Sequence, residues 1–368
     1  MTREAKAVVC REWGQPLTVE TIRVAAPKRN EITIKVAACG VCHSDLSAAT
    51  GKIQYPPPLV LGHEAAGVVI EVGEGVTGFK EGDHVVSSFI SMCGKCRQCV
   101  RGRPVLCDNA GKAMFTLPDG TVRTTDSDGK DLNVFGACGV MAEYATLHVD
   151  NAVRIEPGVP LQNAALVGCA VMTGVGAVFN TARLEPGSRA AVFGVGGVGL
   201  NAIQGCATAG AEMIVAVDTS DTKLAMAKQF GATHTVNINE VEDAAKAVKK
   251  LTGGVDYAFE CVGAGAVVTQ AYKSLGRGGT AVVVGVADPR DKTSIGTLSL
   301  PADERTLKGS WLGSARPQHD FPRILALYKA GKLKLDELVT RTYRIEEAPQ
   351  AFDDMVAGKN ARGVIVFD

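Results

Sequence analysis

A glycine-rich turn between a strand-like and a helix-like segment constrains the fold of this chain most strongly. Residues 190–200 read Ala-Ala-Val-Phe-Gly-Val-Gly-Gly-Val-Gly-Leu, and Leu200 opens an amphipathic segment. The glycines follow the spacing G-x-G-x-x-G. In that pattern Gly194 permits a tight turn, Gly196 admits a pyrophosphate, and Gly199 lets the helix lie on the strand. Free N–H groups at the helix N-terminus would bind phosphates. The stretch therefore predicts a dinucleotide site on a βαβ unit.

An acidic residue ends the next predicted strand. Residues 213–218 read Met-Ile-Val-Ala-Val-Asp, and Asp218 follows Gly199 by 19 residues. A carboxylate at this distance can bond a ribose 2′-OH and repel a 2′-phosphate, which favours NAD over NADP. The alternative, a solvated acid at a strand end, requires the glycine turn to be accidental as well.

Length and charge limit the class of protein. The 368 residues are enough for two domains, and the formal net charge of zero gives no broad field for nucleic acid or an anionic membrane. The N-terminus lacks the apolar core of a signal peptide, and the most apolar stretch is interrupted by Asn201, Gln204 and glycines. Eleven cysteines without a signal peptide indicate metal ligands or buried thiols in a reducing cytoplasm.

The secondary-structure pattern changes along the chain. Up to about residue 153 short β-prone runs alternate with turns, which is typical of a small barrel or sandwich. From about residue 161 strands and helices alternate, which predicts an α/β fold with a doubly wound parallel sheet. The predicted strands are 31–36, 67–72, 84–89, 144–149, 190–193, 213–218, 255–260, 280–285 and 363–367. The predicted helices are 161–167, 173–182, 223–230, 241–251, 266–275, 321–330 and 346–357.

Four cysteines within fifteen residues form the most specific local motif. Cys93, Cys96, Cys99 and Cys107 are separated by glycine and charged residues, as in a loop wound round a metal. Four thiolates fit a closed tetrahedral zinc site of the structural kind. An iron–sulfur cluster could use the same ligands, but nothing else in the sequence requires one.

Three further candidate ligands are dispersed, namely Cys42, His63 and Cys169. Each alone has an ordinary explanation, because a lone cysteine is usually a small core residue and a lone histidine is usually a hydrogen-bonded buried group. Spacing cannot show that residues so far apart in the sequence meet.

Several motifs together resemble the zinc-dependent medium-chain alcohol dehydrogenases. They are Gly-Val-Cys-His-Ser-Asp at 40–45, Gly-His-Glu-Ala-Ala-Gly at 62–67, the four-cysteine motif, the glycine turn, and Gly-Lys-Asn-Ala-Arg-Gly-Val-Ile-Val at 358–366. The resemblance extends over essentially the whole chain. It implies a GroES-like β-rich catalytic domain, residues 1–170 and 312–368, interrupted by a Rossmann NAD-binding domain, residues 171–311.

The resemblance also implies a second, catalytic zinc, giving two Zn²⁺ per chain. Cys42, His63 and Cys169 would be its ligands. Asp45 would orient the ring of His63, and Glu64 would lie behind the metal. Ser44 would take the substrate proton. The implied reaction is reversible hydride transfer between a zinc-bound alkoxide and NAD. Many relatives carry a histidine where this chain has Ser47, so the proton path would either end in water or use another base such as His43.

The resemblance assigns the cofactor contacts to residues on several segments. The charged side chains among them are also compatible with a solvated surface. The assigned residues are His43, Thr173, Gly194, Gly196, Gly197, Val198, Gly199, Asp218, Lys223, Val262, Val286 and Arg362.

The implied substrate pocket is largely apolar, which favours a primary aryl, allylic or medium aliphatic alcohol or its aldehyde. Its residues are Ile53, Phe89, Val134, Phe135 and Trp311, with Lys112 near the mouth. A glutathione-dependent formaldehyde dehydrogenase activity ranks second. Ile53 and Gly111 replace the Asp and Arg that hold glutathione in that group.

Two further expectations concern non-catalytic roles and assembly. A nucleotide-binding protein that has lost the chemistry would also keep the fold. The complete set of Cys42, His63 and Cys169 argues against such a non-catalytic role for this chain. Residues 306–311 resemble the edge strand of a family dimer, so a homodimer or homotetramer is expected.

Overall fold

A computed structural model describes residues 2–110 and 114–368. The chain forms two compact units. The first comprises Met1–Cys169, Arg316–Lys329 and Leu335–Asp368, and the second comprises Ala170–Ala315 and Ala330–Lys334.

The first unit is rich in short strands joined by tight turns. Its strands up to Cys169 are β1 (Arg3–Cys10), β2 (Thr18–Val24), β3 (Glu31–Gly40), β4 (Leu59–Val60), β5 (Ala65–Val72), β6 (His84–Ser87), β7 (Thr124–Thr125), β8 (Asn133–Val134), β9 (Tyr144–His148) and β10 (Ala152–Ile155). Its helices in this part are α1 (His43–Ala49), α2 (Arg97–Val100) and α3 (Leu161–Ala165), with 3₁₀ turns at Pro104–Leu106 and Leu166–Gly168.

The second unit alternates helices and strands, as predicted. Its helices are α4 (Ala170–Gly176), continued by a π-helix at Ala177–Ala182, then α5 (Gly197–Thr208), α6 (Asp221–Gln229), α7 (Ala244–Thr252), α8 (Gly265–Ser274) and α9 (Ser299–Ala302). Its strands are β11 (Arg189–Phe193), β12 (Met213–Asp218), β13 (His234–Asn237), β14 (Val255–Glu260), β15 (Leu275–Val283) and β16 (Thr306–Gly309). The sheet order is β13-β12-β11-β14-β15-β16 with every pairing parallel, which is a doubly wound Rossmann sheet.

The C-terminal part of the chain completes the first unit. It contributes α10 (Pro317–Lys329), β17 (Val339–Tyr343), α11 (Ala348–Val356) and β18 (Arg362–Val366). One sheet has the order β7-β2-β1-β4-β8, and the other runs β10-β6-β5-β3-β18-β17 with β9 also paired to β3. Because β18 pairs antiparallel with β3, the last strand lies beside the segment that leads into Cys42.

Apolar positions on the inward faces of the strands form the core of each unit. In the first unit Ile32, Ile34 and Val36 alternate along β3 with no exposed area. In the second unit Val215 and Ala258 lie on the central strands and are equally buried. The strands of the second unit are instead buried without alternation, as in β11 and β12, which is typical of a parallel sheet covered on both faces.

Several helix boundaries differ from the predicted ones for local reasons. Helix α7 begins at Ala244 because Asp243 caps it, with its carboxylate accepting the N–H of Lys246 at 2.8 Å. Helix α5 begins inside the glycine turn, before Leu200. The segment predicted as one helix over 173–182 begins earlier and becomes a π-helix from Ala177.

Within the described ranges no single helix is long and apolar enough to cross a membrane. One bent pair, Leu161–Gly168 with Ala170–Ala182, meets that test by length and composition only.

Candidate metal and cofactor sites

Three dispersed segments of the first unit bring a set of metal-type donors together. Cys42 is the N-cap of α1, His63 follows β4, and Cys169 follows the 3₁₀ turn after α3. Their sulfurs, a ring nitrogen of His63 and a carboxylate oxygen of Glu64 all lie within 4.8 Å of one another, and all four residues are buried. The structure therefore brings together the three candidate ligands that spacing alone could not connect.

Hydrogen bonds fix the ring of His63. Its Nδ1 lies 3.2 Å from Oδ2 and 3.3 Å from Oδ1 of the buried Asp45, whose Oδ1 also accepts the N–H of Gly62 at 2.8 Å. The Ser87 hydroxyl donates to the backbone oxygen of His63 at 2.9 Å. Nε2 of His63 is buried and has no hydrogen-bond partner among the described residues. An imidazole held this way presents Nε2 as the free ligand atom.

The buried thiols and the imidazole shift one another's pKa values. The hydrogen bond from Cys169 lowers the pKa of Cys42 well below its usual value, and the same bond raises the pKa of Cys169. Burial lowers the pKa of His63, but the charge and hydrogen bond of Asp45 outweigh it and raise that pKa. Two sulfurs and one imidazole are donors that zinc prefers, and the Glu64 carboxylate lies within reach of the fourth position.

An ion pair lies beside this cluster. Arg362 on β18 donates from Nη2 to Oε2 of Glu64, and both side chains are buried. Burial raises the pKa of Glu64 to about 7, although the Arg362 charge opposes the rise. Oε1 of Glu64 has no hydrogen-bond partner within the described part of the chain. Gly40 leaves room for the pair, since a Cβ there would lie 2.5 Å from Oε2.

Aromatic rings surround His63. The ring centroids of Phe89 and Phe135 lie 5.3 and 5.1 Å from that of His63, both nearly perpendicular to it. Tyr55 packs edge-on against Phe135 with centroids 4.5 Å apart. The cluster therefore has an apolar, π-rich wall on the side of these rings.

The four-cysteine motif forms a second, local cluster. The sulfurs of Cys93, Cys96, Cys99 and Cys107 lie within 4.8 Å of one another, and Cys107 is 3.6 Å from Cys93 and 3.8 Å from Cys96. A tetrahedral zinc with Zn–S bonds of about 2.3 Å places sulfurs ~3.8 Å apart, so the observed distances fit. Backbone N–H groups lower the pKa of Cys93 to about 6 and that of Cys96 as well. All eleven cysteines of the sequence lie in the described ranges and are free thiols.

The glycine turn of the second unit has the predicted geometry. Gly194 has φ +90°, and a Cβ at Gly199 would lie 1.9 Å from the Gly194 oxygen. At Gly196, the N-cap of α5, a Cβ would meet no described atom within 4 Å, which leaves the approach that a pyrophosphate needs. The Asp218 carboxylate accepts the N–H of Val195 at 2.7 Å and those of Thr219 and Ser220 at 2.8 and 3.1 Å.

The remaining predicted site residues are distributed over both units. In the second unit Gly197 and Val198 open α5, Thr173 lies in α4, and Lys223 lies in the first turn of α6. Val262, Val286 and Trp311 are about half exposed. In the first unit His43 and Ser44 open α1, Val134 is buried, and Ile53 packs against the core. Gly111 and Lys112 lie outside the described residues.

The sequence alone did not identify three residues at the buried cluster, namely Gly40, Tyr55 and Ser87. Ser87 ends β6, and it also accepts the N–H of Ala65 at 2.8 Å. Its role depends on pairing between β5 and β6, which a linear pattern does not give. Gly40 ends β3 just before Cys42, and a glycine at that position was the one available signal.

Comparisons with known proteins agree with this architecture. Residues 28–157 match the alcohol dehydrogenase GroES-like domain, and residues 197–330 match the zinc-binding dehydrogenase domain. The chain is 41% identical over 371 residues to an NDMA-dependent alcohol dehydrogenase of Amycolatopsis methanolica, covering 99% of both proteins. It is 36% identical over 375 residues to the S-(hydroxymethyl)glutathione dehydrogenase of Paracoccus denitrificans, covering 98% of this chain and 99% of that protein.

A solved structure gives the same result for the fold. The crystal structure of benzyl alcohol dehydrogenase from Acinetobacter calcoaceticus superposes with a TM-score of 0.92 at 33% identity and covers 100% of each chain. Together with the two domain matches and the full-length relatives, this likeness classifies the protein as an oxidoreductase. The chain belongs to the zinc-dependent medium-chain dehydrogenase/reductase family.

Proposed function

We propose that this protein is a zinc-dependent alcohol dehydrogenase that transfers hydride reversibly between a primary alcohol and NAD. The observation that carries the proposal is the buried set of Cys42, His63 and Cys169, with donor atoms within 4.8 Å and the Nε2 of His63 without a partner. The donors are those of catalytic zinc sites, in which three protein ligands leave one position for water or substrate.

Zinc held by this set would act as a Lewis acid and lower the pKa of an alcohol hydroxyl. The protein's own contribution is to hold the ligands and to limit water. Asp45 fixes the tautomer and orientation of His63, and the Phe89 and Phe135 rings lie against it. The Glu64–Arg362 pair keeps a carboxylate beside the ligands.

A proton must leave the substrate hydroxyl, and Ser44 is the proposed first acceptor. Ser44 is partly exposed and follows Cys42 by two residues, with its N–H 3.5 Å from the Cys42 sulfur. Ser47 lies one helical turn further along α1 in place of a histidine. We infer that the proton passes to water beyond this point. If so, Ser47→His will add a histidine-like step to the pH–rate profile, and an unchanged profile would exclude position 47 from the path.

The aromatic wall supports an aryl or allylic alcohol as substrate. Phe89 and Phe135 pack on His63 and Tyr55 packs on Phe135, and rings of this kind favour stacked or edge-on contact with another π-system. The likeness to a benzyl alcohol dehydrogenase points in the same direction.

NAD is the proposed hydride acceptor, held at the glycine turn. The turn has room at Gly196, and the acid Asp218 ends the adjacent strand and opposes a 2′-phosphate. Because the chain is similar to an NDMA-dependent alcohol dehydrogenase, NDMA is tested as an acceptor beside the nucleotides.

The deciding experiment is a spectrophotometric screen of purified protein with known zinc content. Benzyl, cinnamyl and aliphatic alcohols are each supplied with NAD⁺, NADP⁺ or NDMA. We expect about two zinc ions per chain and oxidation of aryl alcohols with NAD⁺ well above NADP⁺. One zinc and no turnover with any alcohol would point to a non-catalytic nucleotide-binding protein. Equal rates with NAD⁺ and NADP⁺ would contradict the proposal that Asp218 selects against the 2′-phosphate of NADP⁺.

Oxidation of S-(hydroxymethyl)glutathione is the second candidate, favoured by the 36% identity to a full-length dehydrogenase of that substrate. Ile53 packs against the core where that group carries an acid for glutathione, which places this activity second. The same screen with formaldehyde and glutathione separates the two candidates. A rate there above the best aryl alcohol would reverse their order.

A dimer or tetramer is proposed through β16. This strand pairs only with β15 among the described strands, so its other edge is open to strand addition. Light scattering on the purified protein would report its mass, and a monomer at micromolar concentration would contradict the proposal.

A further inference from the structure

The segment after β16 has an unusual backbone. Leu312, Gly313 and Ser314 are consecutive residues in the left-handed region, with φ of +46°, +63° and +51°. Leucine and serine rarely adopt this conformation, because Cβ approaches the following carbonyl oxygen. Such a turn persists only where its surroundings fix it.

Helix α4 and the π-helix that continues it hold the centre of this left-handed turn. A Cβ on Gly313 would lie 2.3 Å from the backbone oxygen of Met172 and 2.7 Å from Cα of Gly176, so the turn lies directly on the helix backbone. The side chain of Asn180 donates from Nδ2 to the Gly313 oxygen at 3.2 Å. Glycine is therefore required at the middle of the turn, but its two neighbours must be held by other contacts.

A single hydroxyl joins the two sides of the turn. The Thr181 Oγ1 lies 2.8 Å from the hydroxyl of Ser310 and 2.7 Å from that of Ser314. Thr181 and Ser310 are each 8% exposed, so water competes little for these bonds. The ammonium of Lys308 also donates to the backbone oxygen of Thr181 at 3.3 Å.

Thr181 owes its position to the π-helix Ala177–Ala182. π-Helical turns are rare and are frequently found at functional sites. Between the two serines that Thr181 binds lies Trp311, which is 43% exposed and is assigned to the substrate pocket by the family resemblance. The bonds of Thr181 therefore fix both ends of the segment that presents this indole.

We propose that Thr181 is a positioning residue, whose hydroxyl holds the left-handed turn at Leu312–Ser314 and so sets the orientation of Trp311 for substrate binding. Without the hydroxyl, Leu312 and Ser314 relax towards negative φ, and the indole beside them moves with the backbone. The effect on substrate binding rests on the proposed alcohol dehydrogenase function. The effect on the backbone of the turn is independent of that function.

The test compares Thr181→Val with Thr181→Ser. Valine keeps the shape and removes the hydroxyl, whereas serine keeps the hydroxyl and removes only a methyl group. The chain has two tryptophans, so a Trp13→Phe background makes Trp311 the sole indole reporter. Both variants are made in that background, and the background protein itself is the reference. The measurements are acrylamide quenching and anisotropy of Trp311, KM and kcat for the best alcohol, and the thermal midpoint.

We expect Thr181→Val to increase the quenching and lower the anisotropy of Trp311. The KM for alcohol should rise about threefold to tenfold, as for the loss of one or two buried hydrogen bonds, with kcat changed about twofold or less. Thr181→Ser should match the background in all of these measurements. If Thr181 had only a structural role, Thr181→Val would lower the thermal midpoint. The quenching and anisotropy of Trp311 would stay unchanged, and KM would not rise more than kcat falls.

Two results would overturn the proposal. Unchanged quenching and KM in Thr181→Val would show that the hydroxyl does not set the turn. Equal effects of valine and serine would assign the role to the methyl group. If the background protein oxidises no alcohol, the proposed function fails, but the fluorescence of the two variants still decides the role of Thr181.

Discussion

The two cysteine clusters of this protein differ in how the chain builds them. The cluster of Cys93, Cys96, Cys99 and Cys107 comes from one loop of fifteen residues, and three of its four cysteines are partly exposed. The buried cluster of Cys42, His63 and Cys169 is assembled from three distant segments and surrounded by aromatic rings. The first is a closed four-sulfur set, whereas the second offers three ligands and an ion pair beside them.

We propose that this difference separates a structural from a chemical role. A local loop gains its fold from the metal, because four thiolates and few apolar side chains cannot hold it otherwise. A dispersed site is held by the packed strands and helices that carry its donors, so these donors are fixed before metal arrives. We therefore expect metal loss to unfold the first cluster locally and to inactivate the second without unfolding it.

Removing a ligand from the buried cluster should have the largest effect. Cys169→Ser is expected to lower kcat/KM by about a thousandfold, since the Lewis acid contributes several kcal/mol and each 1.4 kcal/mol is about tenfold. Zinc content should fall from about two to about one per chain, while the loop that holds the four cysteines stays folded. Atomic absorption and steady-state kinetics measure both.

Cys206→Ser is the matched control, because Cys206 is fully buried in α5 and belongs to neither cluster. It should keep two zinc ions and full activity. If Cys169→Ser also kept two zinc ions and full turnover, the buried cluster would not be the catalytic metal site.

Removing a ligand from the four-cysteine cluster should unfold its loop locally and leave the activity largely intact. For Cys99→Ser we expect loss of one zinc and of the stability linked to it, about 4 kcal/mol for metal at a thousandfold excess over Kd. For a chain of 368 residues, that corresponds to a fall of roughly five degrees in the thermal midpoint. Limited proteolysis should cut within the loop that holds the four cysteines, while the remaining folded enzyme still turns over. Inactivation without a change in stability would contradict the structural role.

The sequence predicted the parts of the fold and site that depend on short-range patterns. The glycine turn, the strand that ends at Asp218 and the four-cysteine motif are local, and the structure places each as the spacing indicates. The dispersed ligands needed a family resemblance, because only the tertiary fold brings Cys42, His63 and Cys169 together. The sequence did not identify all the residues that surround those ligands. The contacts of Gly40, Tyr55 and Ser87 exist only after the sheets form.

The two clusters should also differ in how strongly their zinc affinity depends on a residue that is hydrogen-bonded to a ligand. In the buried cluster this residue is Asp45, which binds the ring of His63. Asp45→Asn keeps the shape of the side chain but weakens its bond to Nδ1 of His63. Loss of such a partner typically costs 10- to 100-fold in metal affinity, about 1.4–2.8 kcal/mol. With a chromogenic chelator, one zinc should leave the variant much faster while the other leaves at the wild-type rate. The second zinc is thus an internal control, and equal release of both would refute the distinction.

The smallest expected effect concerns the space beside the buried cluster. In Gly40→Ala the new Cβ would lie 2.5 Å from Oε2 of Glu64, 2.9 Å from Leu166 and 3.2 Å from Arg362, so these groups must shift. Overpacking of this kind costs about 1–3 kcal/mol, which urea unfolding would detect. Gly296→Ala is the matched control, because a Cβ there meets no described atom within 4 Å and φ is not positive. We expect Gly40→Ala to lower activity and stability with the four-cysteine zinc intact, and Gly296→Ala to change neither. Equal stability of the two alanine variants would contradict this prediction. It would show that the Glu64–Arg362 pair can move to make room for a methyl group at position 40.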